Sequence, residues 1–190
     1  MTLSPRFASA LGLLLLAGCH AAAPFTWPTP PGWKSETIPF PLEFAPDVPH
    51  RGVEEVRFEP RFFDPSADTY FTYSFAWLLD DAAPPSAAQL ATDMRLYFTG
   101  LMRAVGKKKA TYPDSAFQAQ VDADATGHYR GVVHTVDAFG DGRALVLHLD
   151  ATALVCGQKQ VILVSLSPHA PDDATYQALL AQRATFRCAP

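Results

Sequence analysis

Three cysteines, Cys19, Cys156 and Cys188, are the residues whose type and spacing point most directly to chemistry. A thiolate is a nucleophile, and two thiols in an oxidising compartment join as a disulfide. Cys19 follows the small residues Ala17 and Gly18, which let a peptidase approach the backbone. The two later cysteines lie far apart in the chain and lack the CxxC spacing of a redox-active pair. The sequence therefore separates Cys19 from the other two.

The segment before Cys19 has the form of an export signal. A single positive charge, Arg6, precedes an apolar run that is too short to span a bilayer as a mature helix. The motif Leu16-Ala17-Gly18-Cys19 resembles a bacterial lipobox, in which the cysteine receives a diacylglycerol and becomes the new N-terminus. The resemblance implies a protein held on a membrane by acyl chains, since each buried CH₂ contributes about 0.8 kcal/mol. A plain secretory signal with an incidental cysteine is the alternative.

We expect three segments along the chain. The signal peptide occupies residues 1–18, and the lipidated Cys19 begins a tether over residues 19–31. From residue 21 to residue 33 the chain is rich in alanine and proline and has no apolar periodicity, which favours an extended, solvated segment. A single domain then spans residues 32–190, with the indole of Trp33 as its first core anchor.

Charge and the residue after Cys19 bear on location. His20, rather than Asp, follows the cysteine. By resemblance to the sorting rule of Gram-negative envelopes, this favours the outer membrane, with the domain facing the periplasm.

Beyond Cys19 the chain carries 14 basic and 19 acidic residues, a formal charge of −5. This charge argues against nucleic acid as a partner, and it leaves attachment to the membrane to the lipid.

The order of elements predicts a disulfide between Cys156 and Cys188. Residues 144–155 and 160–167 form two strands joined by a tight turn that begins at Cys156. A helix then runs back to about residue 185, which places Cys188 beside that turn. Two free buried thiols are the alternative.

Hydrophobic periodicity predicts an α+β fold, with a single antiparallel sheet and two long helices packed on it. Prolines confine the segment 36–44 to a sheet edge. The remaining predicted strands are 53–58, 69–79, 117–121, 129–136, 145–154 and 161–166, and the helices begin at Ser86 and at Asp172 or Asp173. The last four strands form a meander.

The strand 69–79 carries an aromatic stripe on one face, made of Phe71, Tyr73, Phe75 and Trp77. We expect this stripe to form the core beneath the first helix; an exposed binding platform is the alternative. Ser86 and Gln89 have the spacing of a capping box at the start of that helix, and Gly106 ends it.

The end of the chain resembles PsbP-like α/β/α sandwich domains. The resemblance lies in the strand from Val161 to Pro168 and in a helix with Tyr176 and Leu179 that ends in Ala-Thr-Phe-Arg. The Pro-Phe-Pro segment after Gly32-Trp33 is also similar to the first strand of that group. The resemblance implies an accessory or binding module rather than a catalyst.

Two groups of residues have side chains of the types that ligate metals. Asp122, Asp124, Thr126 and Gly127 resemble the first half of a calcium loop, but Val133 stands where a bidentate Glu is needed, and a hairpin turn explains the same residues.

The three histidines of the meander, His128, His134 and His148, stand near Asp137, Asp141 and Asp150 in the sequence, without the spacing of a known metal motif. We assign no metal and no cofactor.

The sequence contains no strong catalytic motif. Glu54 and Glu55 with Glu59 and Asp64 are candidates for paired carboxylates, although charges at strand edges are ordinary. No serine lies in a GxSxG nucleophile motif, and no glycine-rich phosphate loop is present in the sequence. We assign no catalytic residue.

These observations predict a membrane-anchored cell-envelope lipoprotein with a non-catalytic binding or accessory role. The expected partner is an envelope protein or a small apolar ligand. The alternative is an envelope hydrolase that uses His and Asp residues of the C-terminal meander, such as His134 and His148. A deep cleft that gathers these histidines with an aspartate would favour the enzyme.

The lipobox leads to a direct prediction for Cys19→Ser. We expect this variant to lose incorporation of radiolabelled palmitate and to remain as uncleaved or soluble precursor, because the thiol is the atom that takes the lipid. Cys156→Ser is the matched control and should still be labelled. Lipid labelling and membrane fractionation of Cys19→Ser that equal wild type would show that the protein is not anchored through this residue.

Overall fold

The computed structural model describes residues 25–106 and 112–189. The predicted signal peptide, the lipidated Cys19 and the start of the tether lie outside these residues. The elements are β1 (Phe25–Thr26), β2 (Lys34–Pro39), β3 (Gly52–Phe58), β4 (Tyr73–Leu79), α1 (Ala87–Val105), β5 (Gln118–Ala123), β6 (His128–Val136), β7 (Ala144–Cys156), β8 (Lys159–Ser167), α2 (Ala174–Arg183) and β9 (Arg187–Cys188), with a short 3₁₀ helix at Asp114–Ala116.

Seven of the strands form one antiparallel sheet in the order β2-β3-β4-β8-β7-β6-β5. Strands β5 to β8 form a meander. The pairing of β4 with β8 joins this meander to β2, β3 and β4 in the middle of the sheet. The predicted α+β architecture of one antiparallel sheet with two helices packed on it is therefore confirmed.

The aromatic face of β4 forms the main core, as predicted. Tyr73, Phe75 and Trp77 are buried and share one cluster with Leu90 and Met94 of α1. The strand begins later than predicted, because Phe71 adopts a left-handed backbone conformation with φ 54° and its amide bonds to Phe62 in the preceding loop. Its ring nevertheless stays in the core.

The opposite face of β4 and β8 carries short side chains, and α2 lies on it. Ser74 and Ser165 are buried and their hydroxyls lie 2.7 Å apart, so each satisfies the other. Tyr176 and Leu179 are the buried residues with which α2 covers this face. Because α1 packs on the aromatic face, the two helices lie on opposite sides of the sheet.

The ends of α1 differ in detail from the prediction. The Ser86 hydroxyl accepts a bond from the Gln89 amide at 3.2 Å, which is half of a capping box. The Gln89 side chain instead donates to Asp93 at 2.7 Å, because that buried carboxylate lies one turn further along. Gly106 ends the helix with φ −57°, so its backbone conformation does not require glycine.

The packed structure includes part of the predicted tether. Phe25 and Thr26 pair with β9, and Trp27 is buried, so the prediction of a solvated segment is wrong for these residues. The guanidinium of Arg57 stacks on the Trp27 ring at 4.7 Å and donates to its carbonyl at 3.0 Å. Burial of two aromatic rings outweighs the proline content that favoured solvation. Trp27, rather than the half-exposed Trp33, is the first tryptophan of the core.

The predicted disulfide is present. Cys156 and Cys188 are bonded, with their Cα atoms 5.1 Å apart, and the bond joins β9 to the turn between β7 and β8. Since β1 pairs with β9, the disulfide also positions the first described residues of the chain. No described helix is long and apolar enough to cross a membrane.

The double variant Cys156→Ser/Cys188→Ser should show how much the disulfide contributes to the free energy of unfolding. We expect a loss of about 3–4 kcal/mol in the free energy of unfolding, because the bond closes a loop of 32 residues. Hydrogen exchange should speed up most at β1 and β9 and least at β4. Chemical denaturation and exchange of the double variant that match the oxidised wild type would contradict this role.

Candidate functional site

An apolar pocket opens between the sheet and the C-terminal half of α1, with a volume of about 270 Å³. Strands β2 and β3 form one wall, α1 forms another, and the loop between β3 and β4 closes the end. Its lining residues are Glu36, Ile38, Phe44, Val56, Phe58, Phe62, Phe63, Tyr73, Tyr97, Leu101, Val105 and Phe139. Nine of these twelve residues have purely hydrocarbon side chains, so the pocket suits an apolar occupant.

The mouth of the pocket exposes large hydrophobic side chains. Phe63 is 48% exposed and Val105 is 41% exposed, and both line the pocket. The Phe63 ring packs edge-to-face on Phe62 and Phe139, with centroid distances of 4.7 and 5.0 Å. Lys34 lies over the same ring at 5.9 Å. The exposed ring is thus held in position by its neighbours.

Polar groups are buried in the core next to the pocket. The Tyr97 hydroxyl donates to Glu54 Oε1 at 3.0 Å, and both side chains are buried. Burial raises the pKa of Glu54 to about 8, which the bond from Tyr97 only partly opposes. Tyr73 also lines the pocket, and its buried hydroxyl lies beside the hydroxyl of Tyr97. The pocket therefore has mainly apolar walls, and the buried Glu54 carboxyl lies in the core behind Tyr97.

The carboxylates considered for paired catalysis do not converge. Glu54 faces the core, whereas the adjacent Glu55 points to the other face of β3 and accepts a bond from Arg57 at 3.2 Å. Glu59 is buried, which raises its pKa to about 7. Asp64 is bound by Arg61 and Ser66 in the following loop. Each carboxylate has a separate environment.

The histidines of the meander are also separated from a shared site. His128 bonds to Asp150 at 2.8 Å, and Arg183 of α2 holds the same carboxylate. His134 and His148 lie on the same face of β6 and β7, two positions apart, with His134 exposed. Within the described ranges no three His, Cys, Asp or Glu residues are grouped as for a metal ion. Neither His134 nor His148 lines the pocket beside α1, the depression beside His50 or the pocket formed by Asp137 and Asp141.

Asp124 serves a hairpin turn. Its Oδ1 accepts bonds from the Thr126 amide at 2.8 Å and from the His128 amide at 3.2 Å. Gly127 completes the turn with φ 78°. The residues that resembled half of a calcium loop are thus explained by turn formation.

Sequence reasoning missed a buried histidine. His50 bonds to Asp81 at 2.6 Å and to Asp93 of α1 at 2.9 Å, so both ring nitrogens are engaged. Burial alone would lower the pKa of His50, but the bonds and charges of the two carboxylates raise it. An open depression lies beside it, but a ring with both nitrogens occupied has no site for a substrate proton. His50 therefore links the loop before β3 to α1 through its hydrogen bond with Asp93.

Comparison with solved structures finds a likeness to LpqN, described as involved in cell envelope biogenesis of Mycobacterium tuberculosis. The two chains are 13% identical, the match covers 87% of this chain and 83% of LpqN, and the TM-score is 0.32. No protein-family model and no curated protein matches the sequence.

The buried carboxyl predicts how stability changes with pH. Unfolded Glu54 loses its proton near pH 4.5, whereas the folded protein keeps it to about pH 8, so stability falls as pH rises between these values. Glu54→Gln keeps an acceptor for Tyr97 and removes this dependence. We expect a gain that grows with pH by up to about 1.4 kcal/mol per unit.

Chemical denaturation of Glu54→Gln at pH 5, 6.5 and 8 checks this prediction. A shallower decline should remain, because Glu59 and His50 also have raised pKa values. Glu43→Gln, which removes an exposed carboxylate, is the control and should follow wild type. A pH profile of Glu54→Gln parallel to wild type would mean that Glu54 is already ionised in the folded protein.

Proposed function

We propose that this protein is a lipid-anchored envelope protein whose domain binds a small apolar ligand in the pocket between the sheet and α1. The observation that carries the proposal is the exposure of Phe63 and Val105 at the mouth of an apolar cavity. A ligand that covers these side chains gains about 25 cal/mol for each Å² of apolar surface removed from water.

The size of the pocket limits the ligand. Its volume of about 270 Å³ lies just below the range of about 300–1,000 Å³ typical of small-molecule sites. One short alkyl chain or one aromatic group fills such a space, whereas a whole diacyl lipid does not. The ligand is therefore a small molecule or the end of a longer one.

Anchoring would place this pocket near a membrane. The lipobox at Cys19 supports the anchor, and six peptide units separate Cys19 from Phe25, where the packed structure begins. At about 3.3–3.6 Å per residue, this link reaches roughly 20 Å. A domain held this close to a bilayer samples amphiphilic molecules at the membrane surface. The end of the sequence resembles PsbP-like domains, and this resemblance to a group of accessory modules agrees with a binding role.

A bulky substitution inside the pocket tests binding. A soluble chain that begins at His20, without the lipidated cysteine, retains every described residue, and its methyl NMR spectrum can be followed during titration with octan-1-ol. We expect saturable shifts at Val56, Leu101 and Val105, which line the pocket. Leu101→Trp fills the cavity and should weaken octanol binding at least tenfold, about the effect of 1.4 kcal/mol.

The matched control for this substitution is Ala104→Trp, an exposed position on the same helix that does not line the pocket. It should bind octanol as wild type does, and circular dichroism should show both variants folded. Shifts spread over the surface without saturation, or equal affinity in folded Leu101→Trp, would overturn the proposed site.

A further inference from the structure

The pocket beside α1 opens towards the edge of the sheet at β2. Its lining residues on the inner strands are buried, since Tyr73 of β4 is 2% exposed and Val56 of β3 is 1% exposed. On the edge strand β2, the lining residue Glu36 is exposed. The exposed Phe63 lies on the same side, because the Lys34 ammonium of β2 is 5.9 Å from the centre of its ring. A ligand that reaches the pocket therefore lies beside β2.

The outer edge of β2 presents backbone groups that no other strand uses. The strand is the first in the sheet and pairs with β3 alone. The amide of Phe40, directly after β2, donates to the Gly52 carbonyl of β3 at 3.0 Å. Hydrogen-bonded pairs alternate along an antiparallel ladder, so the intervening residues Ser35 and Thr37 direct their N–H and C=O groups outwards. Both residues are exposed, and none of the described turn or loop bonds involves their backbone.

A strand added to this edge would place one side chain at the pocket. In an antiparallel arrangement, two peptide residues opposite Ser35 and Thr37 would each exchange a pair of backbone hydrogen bonds with β2. The peptide residue between them would lie opposite Glu36, and directly opposite residues point to the same face of a sheet. Because Glu36 lines the pocket, this central side chain would point to the pocket side. The cavity of about 270 Å³ has room for one leucine or phenylalanine side chain.

Charge at the edge specifies a further residue of the peptide. Lys34 lies on the same face of β2 as Glu36, two positions earlier, and it is exposed. No ion pair among the described residues includes Lys34. In an antiparallel peptide, the residue two positions after the central apolar one would lie opposite Lys34. An acidic side chain there is favoured, because opposite charges directly across a ladder attract.

We infer that the pocket and the outer edge of β2 together bind an extended peptide segment of another protein, which adds antiparallel to β2, inserts one apolar side chain into the pocket and places an acidic residue against Lys34. Strand addition of this kind takes affinity from backbone hydrogen bonds and specificity from side-chain pockets. The inference rests on the proposed function, because it needs the pocket to accept an apolar group. It adds that this group is a side chain of a peptide partner.

A short peptide with this pattern tests the inference. In acetylated and amidated Ser-Val-Thr-Phe-Thr-Asp-Ser, the Phe is the central residue, the two Thr residues would pair with β2, and the Asp would face Lys34. NMR titration of the soluble chain from His20 should show saturable shifts at Leu101 and Val105, together with slower hydrogen exchange of the Ser35 and Thr37 amides. Replacement of the peptide's Phe with Ala should weaken binding at least about tenfold, because the burial of its ring is lost.

N-methylation of the peptide separates backbone pairing from insertion of the side chain. Methylation of both Thr amides removes the donors to the β2 carbonyls and should weaken binding at least about tenfold. Methylation of the Phe amide is the matched control. This amide points away from β2 in the inferred register, so the affinity should stay close to that of the unmodified peptide.

A substitution in β2 tests the same bonds from the side of the protein. Thr37→Pro removes one outward N–H and should weaken peptide binding about fivefold or more. Thr37→Val is the matched control, because it keeps the N–H and loses only the hydroxyl that donates to Glu55. It should bind the peptide as wild type does. Both variants should bind octan-1-ol as wild type does, which reports that the pocket is intact.

Exchange of charge tests the acidic position. Lys34→Glu should weaken binding of the peptide by up to about fivefold, and a peptide with Lys in place of Asp should recover the loss. Equal binding of both peptides to wild type and to Lys34→Glu would overturn the preference for an acidic residue.

The outcomes distinguish this inference from the proposed function. If neither octan-1-ol nor the peptide binds wild type, the proposed function fails and the inference fails with it. If octan-1-ol binds and the peptide does not, the pocket accepts apolar groups but β2 takes no added strand. Binding of the peptide methylated at both Thr amides that equals binding of the unmodified peptide would also overturn strand addition, even if Thr37→Pro does not fold.

Discussion

The burial of β4 on both faces is the constraint on which the rest of the structure depends. All seven residues of Tyr73–Leu79 are buried, with large aromatic rings on one side and Ser74, Ala76 and Leu78 on the other. Rings of this size hold α1 away from the sheet, whereas serine and alanine let α2 lie on the opposite face. The pocket lies on the aromatic side, where large, rigid rings and the residues of α1 meet beside the edge strand β2. The site is thus a consequence of packing bulky side chains at the border of the core.

Local patterns in the sequence predict much of this fold. The alternation through Tyr73, Phe75 and Trp77 is visible from residue order alone, and it assigns the buried face and its helix correctly. The order of elements also predicts the disulfide. The β7–β8 hairpin and the helix that runs back along it bring Cys156 and Cys188 to the same end of the sheet. These features depend on a succession of local patterns, in which periodicity and turn residues carry the information, even for the disulfide, whose cysteines are 32 residues apart.

Local patterns do not predict a contact that depends on a single side chain from an unrelated segment. The prolines around Trp27 favour a solvated tether, whereas its burial comes from Phe186 and from Arg57, which is 30 residues away. His50 gives no local signal, because its partner Asp93 lies 43 residues further along. The environment of Glu54 likewise comes from Tyr97 of α1. A single glutamate in a strand is usually exposed, so its neutral, buried state could be recognised only from the assembled core.

The arrangement of the two faces also relates the pocket to the chain's N-terminus. The segment after Phe25 packs against the face of the sheet that holds Leu78, Val161 and the disulfide, opposite the pocket. The Arg57 side chain fixes this segment from that same face. The first described residues therefore do not occupy the pocket mouth, where Phe63 and Val105 remain exposed. A buried acid is unfavourable for stability, and Glu54 lies in the core next to Tyr97, whose side chain lines this pocket. The proposed function would therefore use one face of the sheet for the N-terminal segment and the other face for the ligand.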